Sequence, residues 1–181
     1  GSTSNLSQAL LDAINLADQS DMLFVAAAGN NGEDNDSTPF YPASYDAPNI
    51  VAVAAVDNRD ELIDFSNVGR TTLDLAAPGE GIVSTLPAGY PGGNLYGSKT
   101  GTSMSAPFVS GAAALVLSAC AASTATLKAH LLGSVDSLPS LAGAIATGGR
   151  LNVLRTLTNC LGSTPAAFSV SASPAMQTMG F

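Results

Sequence analysis

The chain has 181 residues, 46% of them hydrophobic and 11% charged, which is long enough for one domain with a real core and too apolar for extended disorder. Its formal charge is −8, and its six lysines and arginines are scattered singly, so no basic stripe exists to neutralise phosphates and a nucleic-acid partner is not expected. No run of about 18 apolar residues is evident, so no membrane span is expected, and an apolar share rich in Ala, Val and Leu, with no Trp, points to a core of small side chains.

Taken in chain order, Leu6, Ala9, Leu10, Ala13, Ile14 and Ala17 fall on one stripe of a helix predicted over 5–19, with Asn5 and Gln8 resembling a capping pair. The run MLFVAAA at 22–28 has no polar alternation, as expected for a strand covered on both faces of a parallel sheet. It stops at Gly29-Asn30-Asn31-Gly32, a turn signal. The run IVAVAAV at 50–56 reads as a second buried strand, and LDLAA and IVSTL, near 73–86, as two short ones. A Gly- and Pro-rich stretch over 87–101 leads into a helix at 103–119. Ser123 or Thr124 caps another helix ending near Leu132, and a last helix starts after Gly149. Beyond Gly162 the composition turns to Ser, Ala, Thr and Pro, as in a linker or the start of a further segment over 162–181. Helix and strand alternate, which gives an α/β class.

Two segments hold residues suited to chemistry. In Thr100-Gly101-Thr102-Ser103-Met104-Ser105-Ala106-Pro107 a glycine permits a sharp turn that sets a hydroxyl at the first turn of a helix. Free N–H groups and the positive end of the helix dipole favour a developing oxyanion there. Pro107 lies near that first turn, where its missing N–H costs least. In Ala28-Gly29-Asn30 a strand ends by delivering an amide side chain to the carboxyl edge of a sheet, where open α/β sheets bind ligands. Each segment alone is also compatible with an ordinary Ser-capped helix or a turn asparagine. Cys120 and Cys160 form no zinc-type spacing. They are either two buried thiols or one disulfide, and the acidic, lysine-poor composition of a secreted protein favours the bridge.

Together, TGTSMSAPFVSGAAAL and AAAGNNG resemble the nucleophile and oxyanion motifs of the subtilase family of serine proteases. YPASYDAPNIVAVAAVD, FSNVGRTTLDLAAPGEGIVST and GGRLNV are similar to the stretches that the family places between and after them, so the likeness covers about residues 1–161. It implies a three-layer α/β/α sandwich built on a parallel sheet, of which this chain is the C-terminal half. It also implies that Ser103 is the nucleophile and Asn30 the side-chain oxyanion donor of a peptide-hydrolysing enzyme. Ala28, Gly29, Asn31, Phe40 and Thr102 fall where the family binds substrate, and Phe40 would shorten the pocket for the P1 side chain. Met104 beside the nucleophile is an oxidisable thioether.

No cofactor is implied for the chemistry. The carbonyls of Ala43 and Tyr45 with the Asp74 carboxylate resemble a weak structural site for Ca²⁺ or Na⁺. The acidic loop Glu33-Asp34-Asn35-Asp36 lacks an EF-hand pattern and reads as a solvated charge run. The family's aspartate and histidine motifs do not occur in the chain, so the implied partners are an N-terminal half that supplies them and protein or peptide substrates. His130, the only histidine, is separated from Ser103 by a full helix and reads as a flank position. A non-catalytic scaffold, or a transpeptidase or macrocyclase in which an amine intercepts the acyl-enzyme, are the alternatives. A GxSxG hydrolase is disfavoured because Ser105 stands where that motif has glycine.

Overall fold

In a computed structural model of the chain, residues 6–162 are described. Helix α1 (Gln8–Asp18) comes first, followed by strands β1 (Phe24–Ala27), β2 (Ile50–Val56), β3 (Leu75–Pro78), β4 (Ile82–Thr85) and β5 (Tyr96–Lys99). Helices α2 (Thr102–Ala119) and α3 (Thr124–Leu132) come next, and then the short strands β6 (Asp136–Ser137) and β7 (Gly149–Arg150) before helix α4 (Val153–Leu161). The expected linker lies, after Gly162, outside the described residues.

One sheet runs in the order β1-β2-β3-β7-β6, parallel throughout except for β6. Every residue of β2 is buried, and its period-2 alternation feeds two cores. Ala52, Ala54 and Val56 join Ile14 of α1 and Leu73 on one face. Val51 and Val53 join Leu75, Val109, Ala112, Val116, Leu127 and Leu131 on the other. Helices therefore cover both faces, giving the three-layer α/β/α arrangement. Alanines on β2 and α2 explain the composition, since small side chains let the central helix approach the sheet closely.

Several expectations are corrected. Asn5 lies outside the described residues, and α1 is capped by Ser7, whose hydroxyl accepts from the Leu10 N–H at 3.4 Å. The Gly- and Pro-rich stretch holds β5, which pairs with β4 as an antiparallel ribbon. Helix α2 does have the length and mean hydropathy (1.3) of a membrane span. Interspersed Ser, Gly and Pro hide this in the sequence, and in the fold its Val109, Ala112 and Val116 pack on the sheet. Cys120 and Cys160 form a disulfide, with Cα atoms 6.4 Å apart, joining the end of α2 to α4.

Candidate active site

The carboxyl ends of β1 and β3 converge on the start of α2. Past β3, the Gly79 carbonyl accepts the Gly101 N–H at 2.8 Å, which fixes the turn into the helix. Gly101 takes φ 150°, a conformation that side chains disfavour, and caps α2 without contributing a side chain. Ser103 follows as an exposed residue of the helix's first turn, and among the described residues its hydroxyl has no hydrogen-bond partner.

Past β1, Asn30 is tied to the same turn. Its Oδ1 accepts the Thr102 N–H at 2.8 Å and the Thr102 hydroxyl at 3.0 Å. That hydroxyl in turn accepts the Gly29 N–H at 3.2 Å. Both acceptor directions of the Asn30 oxygen are thereby engaged inside the protein, and among the described residues nothing accepts from Nδ2, which leaves its two donors available. Thr102 is fully buried (0% exposed), so its side chain locks Asn30 to the helix and does not face a substrate.

Behind the turn lies a pair of buried amides absent from the sequence-derived candidates. Asn35 donates to the Ala28 carbonyl at 2.9 Å and accepts from Asn67 Nδ2 at 2.9 Å. Asn67 Oδ1 accepts the N–H groups of Asn31 and Glu33, at 2.8 and 3.3 Å. Ala28, Gly29 and Asn31 thus form a braced wall, with the Ala28 side chain turned into the core. Gly29 has φ 115°, and a Cβ there would lie 2.5 Å from Asn67 Nδ2 and 3.1 Å from the Phe40 ring, so only glycine fits. The Phe40 ring therefore borders this wall, and its backbone is held by Ser44, whose hydroxyl accepts the Phe40 N–H at 2.9 Å.

The acidic loop is more structured than a solvated run. Asn35 is 1% exposed, and Asp36 accepts hydrogen bonds from Thr71 and Thr72. Burial pushes the Asp36 carboxyl up, but the hydrogen bonds from Thr72 and Thr71 outweigh it and hold the group below its usual value. Nothing in the local residue types distinguishes a buried Asn35 from an exposed one; long-range pairing decides it.

His130 is not near Ser103. It sits in the last turn of α3, and two residues earlier Lys128 donates to the carbonyl of Ile50, the first residue of β2. The parallel strands run from that end to the edge holding Asn30, about 20 Å over seven residues.

At the amino end of the strands, Ala43, Tyr45 and Asp74 line one cavity of about 310 Å³, together with Asp46, Ile50 and Lys128. Asp74 Oδ2 accepts the Ala52 N–H at 2.8 Å, and Oδ1 lies 3.6 Å from the Lys128 ammonium. Burial pushes the Asp74 carboxyl up, against the opposing pull of the Ala52 N–H and of Lys128.

The subtilase family model matches residues 1–156. The thermophilic serine proteinase of Bacillus sp. (strain AK1) is 50% identical over 109 residues, which are 60% of this chain and 24% of that protein. The major intracellular serine protease of Bacillus subtilis (strain 168) is 45% identical over 111 residues, 60% of this chain and 32% of that protein. Among solved structures, the self-cleaved protease domain of PatA superposes with a TM-score of 0.72 at 34% identity, covering 91% of this chain and 60% of that one. The chain thus spans a third or less of these two relatives and about three fifths of that domain. With a family match over most of its length, a parallel α/β/α core and an exposed Ser103 beside a tethered Asn30, the chain belongs to the subtilase family.

Proposed function

We propose that this chain is the nucleophile-bearing half of a serine endopeptidase. The observation that supports the reading best is the shared anchorage of Ser103 and Asn30. One side of the Asn30 amide is bound to Thr102, the residue preceding Ser103, so that Nδ2 and the helix N-terminus meet a common reaction centre. In this mechanism the Ser103 hydroxyl attacks the peptide carbonyl carbon, and its proton passes to a general base. The carbonyl oxygen becomes an oxyanion held by Asn30 Nδ2 and the Ser103 N–H. Collapse of the tetrahedral species expels the amine, which takes the proton, and water then hydrolyses the acyl-enzyme.

In this reading a partner half supplies the base and its orienting carboxylate, because His130, the chain's one histidine, sits in the last turn of α3 and away from Ser103. Unaided, a serine hydroxyl is a poor nucleophile at neutral pH. The partner half docks on the outer face of α2 and beside β1, which pairs on one side only among the described residues. Secretion suits the Cys120–Cys160 bridge, because disulfides persist in oxidising compartments.

The test is labelling with a fluorophosphonate serine probe, with and without an N-terminal half carrying the aspartate and histidine motifs. Labelling at Ser103 in the reconstituted pair, abolished in Ser103→Ala, is expected. A pair that associates yet takes no label would replace this reading with a non-catalytic scaffold.

A further inference from the structure

The cavity at the amino end of β2 has oxygen atoms suited to a hard cation, but its donor set is largely engaged. The Tyr45 carbonyl accepts the Ala47 N–H at 3.1 Å. Asp74 Oδ2 accepts the Ala52 N–H, and the Ile50 carbonyl accepts from Lys128. That leaves the Ala43 carbonyl, Asp74 Oδ1 and the carboxylate of the exposed Asp46 as the principal remaining oxygens around the cavity. Calcium takes about six to eight oxygens. Among the described residues, no group of three or more His, Cys, Asp or Glu side chains converges to make up the difference.

We infer that the ammonium of Lys128 is the resident cation of this cradle, so that the chain needs no metal ion there. Lys128 reaches in from the middle of α3, and its side chain is only 23% exposed. Its charge lies between the Ile50 carbonyl and Asp74 Oδ1, the two kinds of oxygen that a metal ion would use. A tethered ammonium provides three donors and a full positive charge without a binding equilibrium. It also joins α3 to the start of β2 and to the residue preceding β3, a connection that a diffusible ion makes only when it is present.

The consequence is measurable without activity. Thermal unfolding of the full chain, bound to its N-terminal half where that is needed for folding, is compared in EDTA, 10 mM CaCl₂ and 200 mM NaCl. The wild type and Lys128→Arg are expected to melt within about 1 °C across the three. Lys128→Met is expected to melt about 3 °C lower in EDTA, the order of shift that a 1 kcal/mol loss gives in a protein of this size, and to recover at least half of that in CaCl₂. The recovery should vanish in Lys128→Met/Asp74→Asn. A Lys128→Met protein that folds but gains no calcium response would overturn the inference. Should that variant not fold, calcium calorimetry on the wild type decides. Heat that Asp74→Asn removes would show a metal bound despite Lys128, and no such difference would sustain the tethered cation.

Discussion

Asn30 commits one side of its amide to the protein, and in the proposed mechanism the other serves the reaction. Because Oδ1 is fixed by two hydrogen bonds to Thr102, Nδ2 is oriented before substrate arrives, which is what makes a donor effective towards charge that develops only in the transition state. In the reconstituted enzyme, Asn30→Ala is expected to lower kcat by about 10²–10³ with little change in KM. Steady-state kinetics on one peptide ester checks this, and an equal rise in KM would mean that Asn30 merely binds. For Phe40 the proposed function predicts a role in P1 preference. Its ring lies against Gly29 on the wall beside the site, so Phe40→Gly should deepen the pocket and move preference towards aromatic P1 side chains. The expected change is about tenfold or more in the ratio of kcat/KM for Phe over Ala at P1, since each methylene gained in an apolar pocket is worth about 1–3 kcal/mol. Peptides differing only at P1 measure it. Asn30 could be singled out in the sequence because it lies in a motif, and Phe40 because it directly precedes a stretch that resembles the family. Asn35 and Asn67 could not, because an asparagine in a polar loop looks the same whether it is buried against a distant partner or free in water. Their roles arise from Asn67 meeting Asn35 across 32 residues.

The elements show the same division. Strand β2 and helix α2 could be read directly, the first as an unbroken apolar run and the second as a small-residue helix following a Gly turn. Strands β6 and β7 could not, since two residues have no period and pair only because distant segments meet. What fixes that corner is Asp136. The Asn152 amide donates to both its oxygens at 3.0 Å, and Arg150 and Arg155 approach at 2.8 and 3.2 Å. The hydrogen bond from Asn152 does most to hold the Asp136 carboxyl below its usual range; slight burial opposes it, and the two arginines add to it. The folded value is thus lower than the unfolded one, about 3.9. The stabilisation is complete above the unfolded value and is lost as pH falls through the folded one. Asp136→Asn should therefore melt lower than the wild type by a constant few degrees above about pH 5, with the gap closing as pH falls through the unfolded value and on through the lower folded one. Melting curves of both proteins across pH 2–7 provide the comparison. A gap that persists into acid would assign the effect to packing and not to charge.

For the whole molecule, the question is which surface stays uncovered. The outer face of α2 presents Phe108 at 42% and Leu115 at 44% exposure. With Met104, Pro107, Val83 and Val153 they line an apolar groove of about 560 Å³. An apolar surface of that size on an outer helix marks a place that another body covers, and β1, at the sheet margin among the described residues, offers unpaired backbone groups to a further strand. Both features lie next to the turn that holds Ser103, so the body that covers them also brings side chains to the nucleophile. The substitution that separates covering from folding is Leu115→Lys. In the uncovered chain the lysine head reaches water, and the melting temperature should change little, as for surface substitutions within about 0.5 kcal/mol. In the assembled pair the same charge is trapped unpaired in an apolar seam, which costs about 3 kcal/mol or more. Association with the N-terminal half should then weaken by at least about 100-fold, as read by titration calorimetry, and Ser103 labelling should fall with occupancy at a given partner concentration and return at saturation. Unchanged affinity would move the seam away from α2 and leave the β1 margin as the place where the two halves meet.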